Sequence, residues 1–331
     1  MVPQQAGLHS SLTAIRTPPK RGYRTGYTIP LERTSVVSLS VGAIGFAFLA
    51  AVFWGLAPVI AKRGLERGGT TMQAAMVVIL TTAALAWTAL LGTTGADAFA
   101  GLTLGDAGIF LVGGIVGTTL GRLSNYAGVR RVGASVTTGV MNTRPFFAVL
   151  LAVGFLHETV TAANAAGVLV LVTGVVALSL SRGGDLGGWR TADLAFPIAA
   201  ALAYGSGNVI RRYGFLETTA STLEAVSLNE LAALLTLGTY LLVFRRDQIV
   251  GANPAAVRYF LVSGTFSGFG LLSFFQALSL GQVSIVDPIM AMAPLFATLF
   301  TFVLLREVEV VTRGVVVGAT LIVIGGGLVS L

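Results

Sequence analysis

The chain has 331 residues, of which 54% are hydrophobic and only 11% charged, against roughly 25% charged in an average soluble domain, so it cannot cover the surface of a soluble fold. Its net charge of +7 comes from 21 basic residues scattered through short segments, which argues against a nucleic-acid partner and for loop charge that sets membrane topology. With no cysteine and only His9 and His157, the chain has no disulfide, thiol nucleophile, Cys-ligated metal or histidine cage.

Residues 1–35 are polar and carry Arg16, Lys20, Arg21, Arg24 and Arg33 with only Glu32 opposing them, together with Pro3, Pro18, Pro19 and Pro30. This composition predicts a disordered basic tail. No short apolar core with a small-residue cleavage site marks a secretory signal there, although the Arg- and Ser/Thr-rich start shares features with organellar transit peptides. Ten apolar segments follow, near residues 36–60, 71–92, 107–127, 133–156, 162–181, 193–211, 221–244, 256–279, 282–305 and 313–331. Each is about long enough to cross roughly 30 Å of hydrocarbon as a helix, and mean hydropathy is +0.84. Continuous apolar runs rather than alternating ten-residue segments predict helices, not a barrel. The connections are short and hold Gly68-Gly69, Gly183-Gly184, Gly187-Gly188 and Pro254, leaving no room for a soluble domain. The expected fold is therefore an all-α polytopic membrane protein of ten transmembrane helices.

Few charges fall well inside these segments: Arg122, Arg144, Glu224, Glu230 and Asp287. A charge at the bilayer centre costs at least about 2.5–3.5 kcal/mol, so each should face the bundle interior and have a partner. Arg144 lies halfway along the fourth segment and directly precedes Pro145, which frees a carbonyl, with Asn142 nearby. It reads either as an anion or carboxylate anchor or as half of a structural ion pair. Glu230, in the middle of the seventh segment, is the expected partner for Arg144 or a proton-coupling group, because burial disfavours a carboxylate's charged form. Asp287, before Pro288, is a second candidate for those roles. Arg122 and Tyr126 are four apart on one helical face in the third segment, with Gln276 in the corresponding part of the eighth. That face either lines a cavity mouth or lets Arg122 snorkel to the interface. Trp54 and Tyr204 either stack on a substrate or pack helices. Gly113, Gly117 and Gly121 recur every four residues, as do Gly264 and Gly268, so backbones can approach closely there.

The two halves repeat. A shift of 150 lays Trp54-Gly55 on Tyr204-Gly205, Val59-Ile60 on Val209-Ile210, Lys62 on Arg212 and Gly64 on Gly214. A shift of 149 lays Gly121, Leu123 and Ser124 on Gly270, Leu272 and Ser273, Thr138 on Asp287, and Pro145, Phe147, Ala148 and Leu150 on Pro294, Phe296, Ala297 and Leu299. After a slip of two, Glu158, Gly167 and Gly174 meet Glu309, Gly318 and Gly325. Because five spans is an odd number, the second copy enters the membrane from the opposite side. The chain thus reads as inverted five-helix repeats over 36–181 and 193–331, an arrangement characteristic of secondary transporters.

Trp54-Gly55, Lys62, Gly133-Ala134-Ser135, Pro145 and Leu156-His157-Glu158, with Tyr204-Gly205, Gly281-Gln282-Val283-Ser284, Pro294 and Arg306-Glu307 in the second copy, resemble two EamA domains of the drug/metabolite transporter superfamily. The resemblance spans about residues 40–331. It implies a central cavity and export of small metabolites such as amino acids, by alternating access and with proton coupling left open. The family's glycine before the glutamate that follows the fourth span is replaced by His157 and Arg306, so that motif is partial.

Twelve basic residues fall in loops after the odd-numbered spans, against Arg211 and Arg212 on the other side. The positive-inside rule then places both termini outside, while the basic tail opposes that orientation. The expected setting is the cell (plasma) membrane, with a small-molecule substrate and the lipid bilayer as partners, and a homodimer left open. No cofactor, nucleotide or metal site is implied. A plastid-type sugar-phosphate or organic anion exchanger is the alternative. An enzyme is disfavoured because HExxH, G-x-S-x-G and phosphate-loop motifs are absent, and a channel because rings of like charge are absent.

Overall fold

A computed structural model describes residues 33–181, 190–251, 253–305 and 313–329. Most of the expected tail, the glycine pairs near 183–188, and Arg306, Glu307 and Glu309 lie outside these residues. Residues 33–35, assigned to the tail by composition, open the first helix. Among the described residues the chain is helical, with no strand.

Helix α1 (Arg33–Leu65) is followed by α2 (Thr71–Thr94). The third span consists of α3 (Leu104–Gly113), a π-helical stretch at Gly114–Leu120 and α4 (Gly121–Val132). The fourth is broken into α5 (Ala134–Met141) and α6 (Arg144–Leu156), because Pro145 in the first turn of α6 cannot continue the preceding hydrogen-bond ladder. Helix α7 (Ala162–Ser181) completes the first half.

The second half repeats this order. Helix α8 (Ala195–Glu217) precedes α9 (Thr222–Ala233), which passes through a π-helical stretch at Leu234–Gly238 into α10 (Thr239–Phe244). After the short α11 (Arg246–Ile249) comes α12 (Pro254–Leu280). The ninth span is broken like the fourth, into α13 (Val283–Met290) and α14 (Ala293–Phe300) with Pro294 in the first turn of α14, before α15 (Arg313–Val329).

Seven helices among the described residues are long and apolar enough to cross a membrane. The other three expected spans are α7 and α15, apolar over the shorter stretches Ala162–Leu178 and Val316–Val329, and α8, whose apolar run is interrupted by polar side chains. Large apolar side chains point outward, among them Phe155 and Phe302. This is the surface a bilayer requires, since lipid replaces water as the apolar solvent.

Glycines set the closest helix contacts. A Cβ on Gly174 of α7 would stand 2.7 Å from the backbone N of Ile322 in α15, and one on Gly318 equally close to the backbone N of Leu178. With Asn164 Nδ2 donating to Val329 O at 2.9 Å, these contacts make α7 and α15 antiparallel. Sequence-matched positions also meet matched partners. Gly64 packs on Phe260 and Gly214 on Phe110; Trp54 packs on Gly270 and Tyr204 on Gly121; Gly55 packs on Ala293 and Phe296, and Gly205 on Arg144 and Ala148.

Candidate functional site

The breaks between α5 and α6 and after α13, together with the π-helical stretch Gly114–Leu120, border a cavity of about 460 Å³, within the range usual for small-molecule sites. Trp54, Pro58, Leu271, Phe274 and Met290 supply its apolar wall. The Trp54 indole donates to Ser267 O at 3.2 Å while its ring leans on Phe274, with centroids 5.4 Å apart. Its polar lining is Thr82, Thr118, Arg122, Arg144, Asn208, Arg211 and Glu230.

The glycine stripe of the third span makes room for this polar wall. A Cβ at Gly117 would meet Arg211 Nη2 at 2.6 Å, and one at Gly121 the Tyr204 ring at 2.9 Å. The π-helical turn between α3 and α4 brings Thr118 and Thr119 inward, and Thr119 Oγ1 bonds Thr236 Oγ1 of the second π-helical stretch at 2.6 Å. Such turns recur at functional sites because they re-aim a helix's side chains.

Arg211 holds the polar wall together. It is 4% exposed. Its Nε donates to Asn229 Oδ1 at 3.0 Å, Nη1 to Asn208 Oδ1 at 2.7 Å, and Nη2 to Gly113 O at 3.1 Å and Thr118 Oγ1 at 2.9 Å. Each asparagine then serves a carboxylate: Asn229 Nδ2 donates to Glu230 Oε1 at 3.1 Å and Asn208 Nδ2 to Asp287 Oδ1 at 2.6 Å. Asp287, fully buried, accepts from Arg144 Nε at 3.2 Å, and Glu230 accepts from the Thr82 hydroxyl of α2. One network therefore runs Thr82, Glu230, Asn229, Arg211, Asn208, Asp287, Arg144, crossing α2, α9, α8, α13 and α6. Satisfying every member is what makes so many buried polar groups tolerable.

Two sequence expectations need correction here. Arg144 pairs with Asp287, not Glu230, because Asp287 lies in α13, which packs on α6, whereas Glu230 lies in α9 and is held by Thr82 of α2. Arg211 is no loop residue: α8 continues to Glu217, so Arg211 is enclosed by the bundle, and Arg212 donates to the carbonyls of Leu278 at 2.7 Å and Ser279 at 3.1 Å.

Of the other predicted residues, Trp54, Tyr204, Arg122, Arg144 and Glu230 line the cavity, with Asp287 directly behind Arg144. Tyr126 lines a separate recess of about 50 Å³ with Arg130 and Tyr240. Gln276 accepts from Thr222 Oγ1 at 2.7 Å, tying α12 to α9 away from the cavity lining. Asn142 sits at the break between α5 and α6, one residue beyond the lining Met141. Sequence reading missed Asn208, Arg211, Thr82 and Thr118. Tyr204, Asn208 and Arg211 are spaced i, i+4, i+7, a polar stripe on one helical face that was there to be read.

The partial motif after the fourth span also gains an explanation. His157 ends α6 in the left-handed conformation, φ 54°, which glycine adopts without cost. That turn aims Glu158, which accepts from the backbone N–H groups of Val283 and Ser284 at 2.9 Å each and so caps α13 from the other half.

The sequence matches the EamA-like transporter family over residues 41–180 and again over 191–331. The chain belongs to that family. As an EamA-like protein it is a multi-pass membrane transporter of the drug/metabolite type. Among curated proteins, none matches this chain. A solved structure described only as a crystal structure of a protein shares the fold, with a TM-score of 0.72 at 16% sequence identity over 87% of this chain and 98% of that one.

Proposed function

We propose that this EamA-like protein is a secondary transporter that exports a small polar or amphiphilic metabolite across the plasma membrane by alternating access, with ten spans arranged as two inverted five-helix halves. The observation that carries this reading is the central cavity, where one hydrogen-bonded network joins side chains of both halves. The inverted arrangement draws support from matched residues meeting matched partners, and from the antiparallel contact of α7 with α15, the sequence-equivalent fifth and tenth spans. Two equivalent halves of opposite orientation can exchange conformations and so open one site to each side in turn. Proton coupling is assigned to Glu230, the carboxylate that lines the cavity.

The test begins with thermal-shift screening of purified protein against amino acids, organic acids, phosphorylated sugars and cationic drugs, since a ligand stabilises the state it binds. A stabilising compound should then show protein-dependent counterflow in proteoliposomes. Failure of every stabilising compound to exchange overturns the transport reading.

A further inference from the structure

The charges of the cavity do not balance. Arg144 is paired with Asp287. Arg211 spends its donors on Asn229, Asn208, Gly113 and Thr118, and reaches both carboxylates only through the asparagines. Glu230 is already held by Thr82 and Asn229. Against the two carboxylates stand three guanidiniums, and the third, Arg122, makes no hydrogen bond or ion pair among the described residues. Its electrostatic neighbours are Tyr126, Tyr204 and Glu230.

Whichever way the pairs are drawn, one positive charge remains in a site surrounded by apolar helices. A charge there is costly without a counter-ion, and a guanidinium offers a planar fork suited to a carboxylate. The same cavity is also lined by apolar and aromatic side chains, Trp54, Leu271, Phe274 and Met290.

We propose that the cavity binds an amphiphilic organic anion, with its carboxylate against Arg122 and its apolar body against Trp54, Leu271 and Phe274. This rests on the reading of the cavity as the transport site, and it moves the anion anchor from Arg144, whose charge the protein itself neutralises, to Arg122. A net-neutral zwitterion would leave the excess charge in place, and a cation would increase it.

The test uses full-length protein in lipid nanodiscs and four probes sharing a phenyl ring: phenylacetate (anion), phenylalanine (zwitterion), phenylethanol (neutral) and phenethylamine (cation). Thermal shift and calorimetry on the wild type should rank phenylacetate first, with the cation giving no saturable signal. Arg122→Gln should weaken phenylacetate binding by about tenfold or more and erase the ranking, while Arg122→Lys keeps it in part. Should Arg122→Gln fail to fold, the wild-type charge series and Arg122→Lys decide alone. Equal or tighter binding of phenylalanine, phenylethanol or phenethylamine overturns the inference, as does absence of saturable phenylacetate binding at millimolar concentration. Counterflow separates this from the broader reading. Exchange of phenethylamine would keep transport and sink the anion site, whereas Arg122-dependent binding without flux would keep the site and sink transport.

Discussion

Arg144 and Asp287 illustrate how much a single buried pair constrains. The Asp287 side chain is 0% exposed and that of Arg144 18%, so the Asp287 carboxylate cannot turn to water if Arg144 is lost. Breaking such a pair from one side costs about 3–5 kcal/mol because a buried charge is left alone, whereas neutralising both can be nearly neutral. Arg144→Ala should therefore destabilise the protein by that amount and abolish transport while leaving membrane insertion intact. Adding Asp287→Asn should recover most of the stability but not the transport. Unfolding curves of the two variants check this; a double variant as unstable as Arg144→Ala would show that the arginine matters for packing rather than charge.

Among the helices, the contact between α7 and α15 relies on glycine on both sides. The added Cβ of a Gly174 substitution would meet backbone N of Ile322 at 2.7 Å and Leu321 Cβ at the same distance, and backbone cannot move aside as a side chain can. Gly174→Leu should lower stability by at least about 1–3 kcal/mol, the usual range for overpacking. Gly154→Leu, on an exposed face of α6 with no atom within 4 Å, should leave the thermal midpoint unchanged. Equal midpoints for the two variants would refute the close-contact account. These elements were legible in part from sequence: apolar length found the seven helices long enough to cross a membrane, and the Gly113, Gly117, Gly121 stripe gave a close crossing, whereas 133–156 and 282–305 read as unbroken segments and the breaks before Pro145 and Pro294 were not foreseen. The site was legible only in part. A charge's depth could be read for Arg144 and Glu230, but partner choice depends on how broken helices cross, which periodicity along one helix does not encode. Arg211 was lost for a narrower reason: two adjacent arginines near an expected helix end look like loop charge until the helix is known to continue.

At the scale of the whole molecule, the network binds α2 and α6 of one half to α8, α9 and α13 of the other, so a rearrangement of the halves must change which groups face its carboxylates. Glu230 is the carboxylate that both belongs to the network and lines the cavity. If it carries the coupled proton, its protonation must differ between the inward-open and outward-open states, because an ion drives a conformational equilibrium only through unequal affinity for the two. Glu230→Gln mimics one loaded form permanently and keeps a hydrogen-bonding group for Thr82 and Asn229. In proteoliposomes with an imposed pH gradient, this variant should still exchange substrate between the two sides but lose uphill accumulation. Accumulation at the wild-type level would reduce Glu230 to a structural member of the network and make Asp287 the next residue to test. Loss of exchange together with accumulation would mean that the side chain holds substrate or shape rather than the proton, since a coupling group alone is not needed for downhill exchange.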